Sequence, residues 1–151
     1  MNTPLSILVA EDEVGDVIFL QRAFAKAGVN PPIYLASDGQ EVIDYLGGHA
    51  PFDNPVRYPL PNLLLLDLKL PHVSGFEVLR WVRENPALHQ MLVVVLSSSD
   101  NPEEIERAYA LGANAYFIKP QNPAKLVDIV KRLQEYWLGI NARAEESILA
   151  L

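Results

Sequence analysis

The chain has 151 residues, which suits one ordinary domain with a single core and leaves no room for a second folded output module. Half of the residues are hydrophobic and 21% are charged, the profile of a chain that folds rather than one that stays disordered. A formal charge of −7 opposes binding to phosphate backbones and anionic membranes, and the lack of cysteine excludes disulfides, thiolate metal sites and a cysteine nucleophile.

Residues 5–10 form a mostly apolar run that ends abruptly in Glu11, Asp12 and Glu13, as expected of a buried strand that delivers acids to its carboxyl edge. Over residues 14–27, Val17, Leu20, Phe24 and Ala27 recur at helical spacing, and Gly28 is a natural stop. Residues 33–36 are a weaker strand. Ser37 or Asp38 then caps a helix carrying Val42, Ile43 and Leu46, which Gly47 and Gly48 end. Residues 47–61 contain Pro51, Pro55, Pro59 and Pro61, too many for a helix interior or a central strand, so an extended surface loop acting as a passive link is expected.

Residues 62–66 supply four consecutive leucines before Asp67, repeating the arrangement of a strand followed by an acid. Phe76, Val78, Leu79 and Val82 mark a helix that stops before Pro86. Residues 92–96 are a strand ending in Ser97, Ser98 and Ser99, and Pro102 suits the first turn of a helix reaching Leu111 and Gly112. Residues 114–118 make the fifth strand with Lys119 at its end, and Leu126, Val130, Leu133 and Trp137 mark the last helix. Five strands alternating with five helices predict an α/β fold, a doubly wound parallel sheet covered on both faces, with the functional crevice at the carboxyl ends of the strands.

On that edge the sequence places Glu11 and Asp12, then Asp67, Ser97 and Lys119. Carboxylates brought together repel, and a hard divalent cation with oxygen ligands, Mg²⁺ for preference, resolves the repulsion. Such an ion would neutralise charge as a phosphoryl group passes to an Asp nucleophile, leaving Lys119 and the Ser97 hydroxyl for the remaining phosphoryl oxygens. Taken singly, each residue also has a duller role, since acids at strand ends often cap the next helix and a serine there often satisfies a loop amide. The three histidines, His49, His72 and His89, are scattered over loops and are expected at the surface.

Glu11-Asp12, LLLLDLKLP around Asp67, VVVLSSS ending at Ser99 and the Lys119-Pro120 pair together resemble the receiver domains of bacterial response regulators, over nearly all of residues 5–137. The resemblance implies the flavodoxin-like strand order 2-1-3-4-5. It also implies a phosphoprotein of two-component phosphorelay signalling rather than an enzyme acting on other substrates. By the same resemblance, Asp67 accepts phosphate from a histidine kinase. Asp12, Glu11, Asp67 and the Lys69 backbone carbonyl hold Mg²⁺, with Mn²⁺ or Ca²⁺ able to substitute. Ser97 is the switch hydroxyl, Lys119 pairs with the phosphoryl group, Tyr116 is the aromatic switch, and Pro120 follows a cis peptide bond.

Within the family the chain resembles the small regulators paired with bacterial and cyanobacterial phytochromes, on the strength of Asp16, the Pro-rich insert, NAYFIKP and the YWL segment at residues 136–138. That likeness implies a phytochrome-type kinase as partner and leaves a histidine phosphotransfer protein as a further one. Residues 1–137 would form the receiver and residues 138–151 an extension. Leu138, Ile140, Ile148, Leu149 and Leu151 in that extension predict a homodimer through the last helix, the fifth strand and the extension.

No stretch reaches the ~18 uninterrupted apolar residues of a membrane span, and the amino terminus has no basic segment before a long apolar run, so a cytoplasmic location is expected. A phosphatase of the haloacid dehalogenase type wants an acid two residues after its nucleophile, where this chain has Lys69. A flavodoxin-like carrier needs a hydroxyl-rich phosphate loop where this chain has Glu11-Asp12-Glu13. A degenerate receiver kept only as a scaffold would lack one of the reactive positions, all of which are chemically competent here.

Overall fold

In the computed structural model, which describes residues 6–28 and 31–149 and side chains as far as Tyr136, the five apolar runs become five strands. In chain order the elements are β1 (Ile7–Ala10), α1 (Val14–Lys26), β2 (Ile33–Ala36), α2 (Gly39–Gly47), β3 (Leu63–Leu66), α3 (Gly75–Glu84), β4 (Leu92–Ser97), α4 (Pro102–Ala110), β5 (Ala115–Ile118) and α5 (Pro123–Leu149). All four strand pairings are parallel and the order is β2-β1-β3-β4-β5, so the expected fold is the observed one.

Two compact units are distinguished. One runs up to Val17 and resumes over Pro31–Lys119, and it holds the whole sheet with α2, α3 and α4. The other combines the remainder of α1 with α5. In the first unit Leu8, Leu64, Leu66, Val93 and Val95 join Val42, Leu46, Val78, Leu79, Val82 and Ala108 in one apolar cluster. The alternate strand residues Ile7, Val9, Leu63, Leu65 and Val94 are equally withdrawn from water. Burial on both sides explains why these strands read as unbroken apolar runs instead of alternating ones. Each such side chain contributes roughly 1.5–3 kcal/mol relative to exposure.

Helix starts follow local chemistry. Asp38 caps α2 by accepting from the Glu41 amide at 2.8 Å, while the Glu41 carboxylate reaches back to the Ser37 amide at 2.7 Å. Ser74 caps α3, and Asn101 caps α4 ahead of Pro102 in its first turn.

The Pro-rich segment departs from expectation. Phe52 and Tyr58 pack edge-on to each other with ring centroids 5.1 Å apart, and both pack against Tyr45 of α2, whose hydroxyl donates to the Pro59 carbonyl at 2.9 Å. The segment is therefore a loop pinned by an aromatic cluster rather than a passive link, because rings bury enough area to anchor a chain that has no ladder hydrogen bonds.

In the second unit, Leu20, Ala23 and Phe24 of α1 and Leu126, Val130 and Leu133 of α5 are the buried positions among the described side chains. The α5 backbone continues to Leu149 without a break at residue 137, where the receiver was expected to end. The apolar residues singled out for dimerisation, Leu138 to Leu151, lie outside the described side chains. None of the described helices is long and apolar enough to cross a membrane.

Candidate functional site

Strand register builds the site. Ala10 pairs with Leu66, so Glu11 and Asp67 leave β1 and β3 at the same level, and the Asp67 amide donates to the Ala10 carbonyl at 3.1 Å. Ser97 pairs with Ile118, so Lys119 leaves β5 one residue beyond, its amide donating to the Ser97 carbonyl at 2.8 Å. Glu11 and Asp67 are buried, whereas Asp12 is exposed at the rim. One carboxylate oxygen from each of Glu11, Asp12 and Asp67 lies within 4.8 Å of the others.

Backbone groups hold the two buried acids. Glu11 Oε1 accepts from the Glu13 amide at 3.1 Å, and Asp67 Oδ1 accepts from the Lys69 amide at 3.1 Å. Gly75 lets α3 start directly beneath the acceptor strand. A Cβ there would run into the Asp67 carbonyl oxygen and come within 2.6 Å of Leu68 Cα, closer than real Cβ atoms come.

Lys119 Nζ lies among the acids and donates to Glu11 Oε2 at 2.6 Å, Asp67 Oδ2 at 2.9 Å and Asp16 Oδ2 at 3.0 Å. An ammonium has three protons, so its donors are matched one to one. Burial works against the Lys119 cation, but the hydrogen bonds to Glu11, Asp67 and Asp16 outweigh it and raise its pKa. Burial alone would push Asp67 up. The hydrogen bond and charge of Lys119 prevail and hold its pKa below the ordinary carboxylate value. Glu11 is pushed up to about 7, chiefly by burial and further by neighbouring Asp67, against the opposing hydrogen bond from Lys119. A single ammonium thus does not neutralise the cluster. The all-oxygen donor set and the residual negative charge fit a hard divalent cation.

On the neighbouring strand Ser97 is fully buried, and its hydroxyl oxygen accepts from the Ser99 amide at a long 3.3 Å. The Tyr116 hydroxyl donates to the Ser99 carbonyl at 2.7 Å. The two side chains therefore hold the amide and the carbonyl of the same residue, Ser99.

The expected residues Glu11, Asp12, Asp67 and Lys119 come together, and the Lys69 peptide lies against the acceptor carboxylate while its side chain is exposed. One expectation fails. Among the described residues the cis peptide bond is Ala50–Pro51, not Lys119–Pro120. Trans is the lower-energy form of an X–Pro bond, and Lys119 reaches its three carboxylates with it. Asp16, named in the sequence only as a mark of the subgroup resemblance, is a further partner of Lys119 that sequence reasoning did not foresee. Asp16 lies in the first turn of α1, whereas Asp12 precedes that helix, so helical spacing does not relate the two. His49, His72 and His89 are exposed, as expected.

Residues 7–131 match the model of the response regulator receiver domain. The chain is similar to the probable methanogenesis regulatory protein FilR2 of Methanothrix harundinacea, with 37% identity over 91% of this chain and 86% of that protein. Among solved structures it is similar to RPA3017, a response regulator in red light signaling of R. palustris, with a TM-score of 0.84, 34% identity, and coverage of 88% and 93% of the two chains. It also resembles the phosphorylated cyanobacterial phytochrome response regulator RcpA, with a TM-score of 0.82, 36% identity, and coverage of 90% and 95%. A third neighbour is the Mn²⁺-bound form of Rcp1, with a TM-score of 0.80, 32% identity, and coverage of 89% and 95%; Rcp1 is a protein of Synechocystis.

Proposed function

Because the chain belongs to the response regulator receiver family, we propose that its Asp67 accepts a phosphoryl group from a sensor histidine kinase in a reaction that needs a divalent cation. The observation that carries this reading is the meeting of Asp67 and Lys119 at 2.9 Å beside Glu11 and Asp12. Receivers are signalling phosphoacceptors, so the reaction is self-directed.

The depressed pKa of Asp67 keeps it ionised and able to attack without surrendering a proton. One carboxylate oxygen forms a bond to phosphorus as the P–N bond to the donor histidine breaks, and that electron pair leaves with the imidazole nitrogen. Asp12, Glu11, Asp67 and the Lys69 carbonyl would hold the cation, Mg²⁺ by preference with Mn²⁺ or Ca²⁺ able to substitute. When bound, it supplies positive charge for the carboxylates and the incoming phosphoryl oxygens. Lys119 presents its ammonium to the same oxygens. Ser97 turns its hydroxyl toward the phosphoryl group and gives up its weak contact with Ser99. Tyr116 then follows through the Ser99 carbonyl, a packing change driven by a local charge change.

The proposed donor is a phytochrome-type kinase, supported by the likeness to RPA3017 and RcpA. A histidine phosphotransfer protein is a proposed onward acceptor, and the apolar positions of the α5 extension support a homodimer.

Incubation with Mg²⁺ and acetyl phosphate, followed by intact-mass measurement, tests the acceptor. A gain of one phosphoryl group that Asp67→Asn abolishes supports it. No gain in the wild type, or an equal gain in the variant, contradicts it.

A further inference from the structure

Of the cation ligands proposed above, the Lys69 carbonyl alone is a main-chain group, so only the path of the loop between β3 and α3 can aim it. That loop is closed at its base, where the Gly75 amide donates to the Leu68 carbonyl at 2.9 Å. At its tip the Pro71 carbonyl accepts from the Val73 amide at 2.8 Å and from the Gly39 amide at 3.3 Å. Gly39 is the first residue of α2, so its amide has no acceptor within the helix. The loop tip supplies one.

Gly39 also gives the two segments room to touch. A Cβ there would run into the Val73 carbonyl oxygen and come within 2.6 Å of the Val73 carbonyl carbon and 2.8 Å of its Cβ. Main-chain atoms cannot swing aside, so a side chain at position 39 forces one segment off the other. The helix is the better anchored of the two. Asp38 caps it, Glu41 reaches back to Ser37, and Val42, Tyr45 and Leu46 are buried. At the loop tip, by contrast, Pro71 and His72 are exposed. His72 holds a left-handed φ of 68°, a conformation that persists only where the surroundings enforce it. The loop is therefore the segment that yields.

We infer that Gly39 is a positioning residue for the cation, because seating the loop tip on α2 fixes where the Lys69 carbonyl points. This deepens the cation site proposed above and rests on it. Mg²⁺ demands near-ideal octahedral geometry at about 2.0–2.1 Å, whereas Ca²⁺ accepts irregular shells at roughly 2.3–2.6 Å. A small shift of the carbonyl thus costs Mg²⁺ more than Ca²⁺, and Gly39 sets selectivity as well as affinity.

The test is a titration of the full chain with Mg²⁺ and, separately, with Ca²⁺, followed by amide chemical shifts, for wild type, Gly39→Ala and Gly15→Ala. Gly15 also lies in the first turn of a helix, but a Cβ there meets nothing within 4 Å. Gly39→Ala should weaken Mg²⁺ binding roughly tenfold, as loss of a ligand's outer support does, and Ca²⁺ binding by no more than about threefold. Gly15→Ala should match wild type for both ions. Unchanged Mg²⁺ affinity in Gly39→Ala overturns the inference. So does an equal loss for the two ions, the mark of general damage to the fold, or an equal Mg²⁺ loss in Gly15→Ala. Should Gly39→Ala fail to fold, hydrogen exchange in the wild type decides. Coupling is reciprocal, so saturating Mg²⁺ should slow exchange of the Gly39 amide roughly fivefold more than that of Gly48, which caps the other end of α2. Equal slowing at the two positions overturns the inference. Failure of the wild type to bind either ion contradicts the cation site itself instead.

Discussion

Two partly buried cations of the sheet unit meet opposite surroundings. Lys119 stands among three carboxylates and its pKa is raised, whereas Arg83 is held by main-chain carbonyls and the Asn114 side chain, and burial lowers its pKa. The Arg83 guanidinium donates to the Gly112 carbonyl at 2.7 and 3.0 Å, to Met91 at 2.6 Å and to His89 at 3.0 Å. It thereby ties α3 to the start of β4 and to the turn before β5. Carbonyl partners carry no net charge and belong to the backbone, so they make a fixed staple. Carboxylate partners carry charge that a cation or a phosphoryl group can compete for, so they make an exchangeable site. The same residue class thus serves structure at one end of the strands and chemistry at the other.

The largest effect that would sharpen this contrast is expected from Lys119→Met. With chelator present it leaves the buried acids unpaired and should cost about 2–4 kcal/mol of unfolding free energy. Millimolar Mg²⁺ should restore much of that loss, as urea unfolding with and without chelator would show. Arg83→Met should cost about 1–3 kcal/mol by stranding its carbonyls, and Mg²⁺ should restore none of it. Recovery of both variants by Mg²⁺, or of neither, would break the distinction.

A smaller effect concerns pH. Glu11 has its pKa raised from 4.5 to about 7 in the fold, so its contribution to stability is fully present below 4.5 and is lost as pH rises through 7. Asp67 has the opposite sign, since its lowered pKa lends stability above its ordinary value that disappears only in stronger acid. Between pH 5 and 8 the chelated protein should therefore lose about 1–2 kcal/mol, and Glu11→Gln should flatten the profile. Urea midpoints collected across that range decide it; a profile equally steep in the variant would reject the assignment. The smallest effect, about 1 kcal/mol, is expected for Tyr45→Phe, which removes the hydroxyl from the Pro59 carbonyl but leaves the rings packed. Its thermal midpoint should fall slightly with no dependence on divalent cations.

The sheet was legible in the sequence because each buried strand is an apolar run stopped by a polar residue, and Glu11, Asp67, Ser97 and Lys119 are those stops. The start of α2 was legible through Asp38 and that of α4 through Pro102 in its first turn. Arg83 was not, since its partners are separated from it by 6 to 31 residues and most are backbone atoms with no sequence signature. The aromatic pinning of the loop was hidden because Phe52 and Tyr58 follow no helical or strand period. The Lys119–Pro120 bond was misread because proline identity permits either isomer and only the surroundings select one. Asp16 was noticed as a residue, but its contact with Lys119 spans 103 positions and depends on how α1 leaves the site.

The most direct test of the account is chemical mapping of the acceptor. Protein treated with Mg²⁺ and acetyl phosphate is reduced with borohydride, which converts an acyl phosphate to a homoserine residue, and the peptides are sequenced by mass spectrometry. The account predicts homoserine at position 67, absent when the cation is chelated. Homoserine at position 12 or 16, or at 67 regardless of the cation, would contradict it.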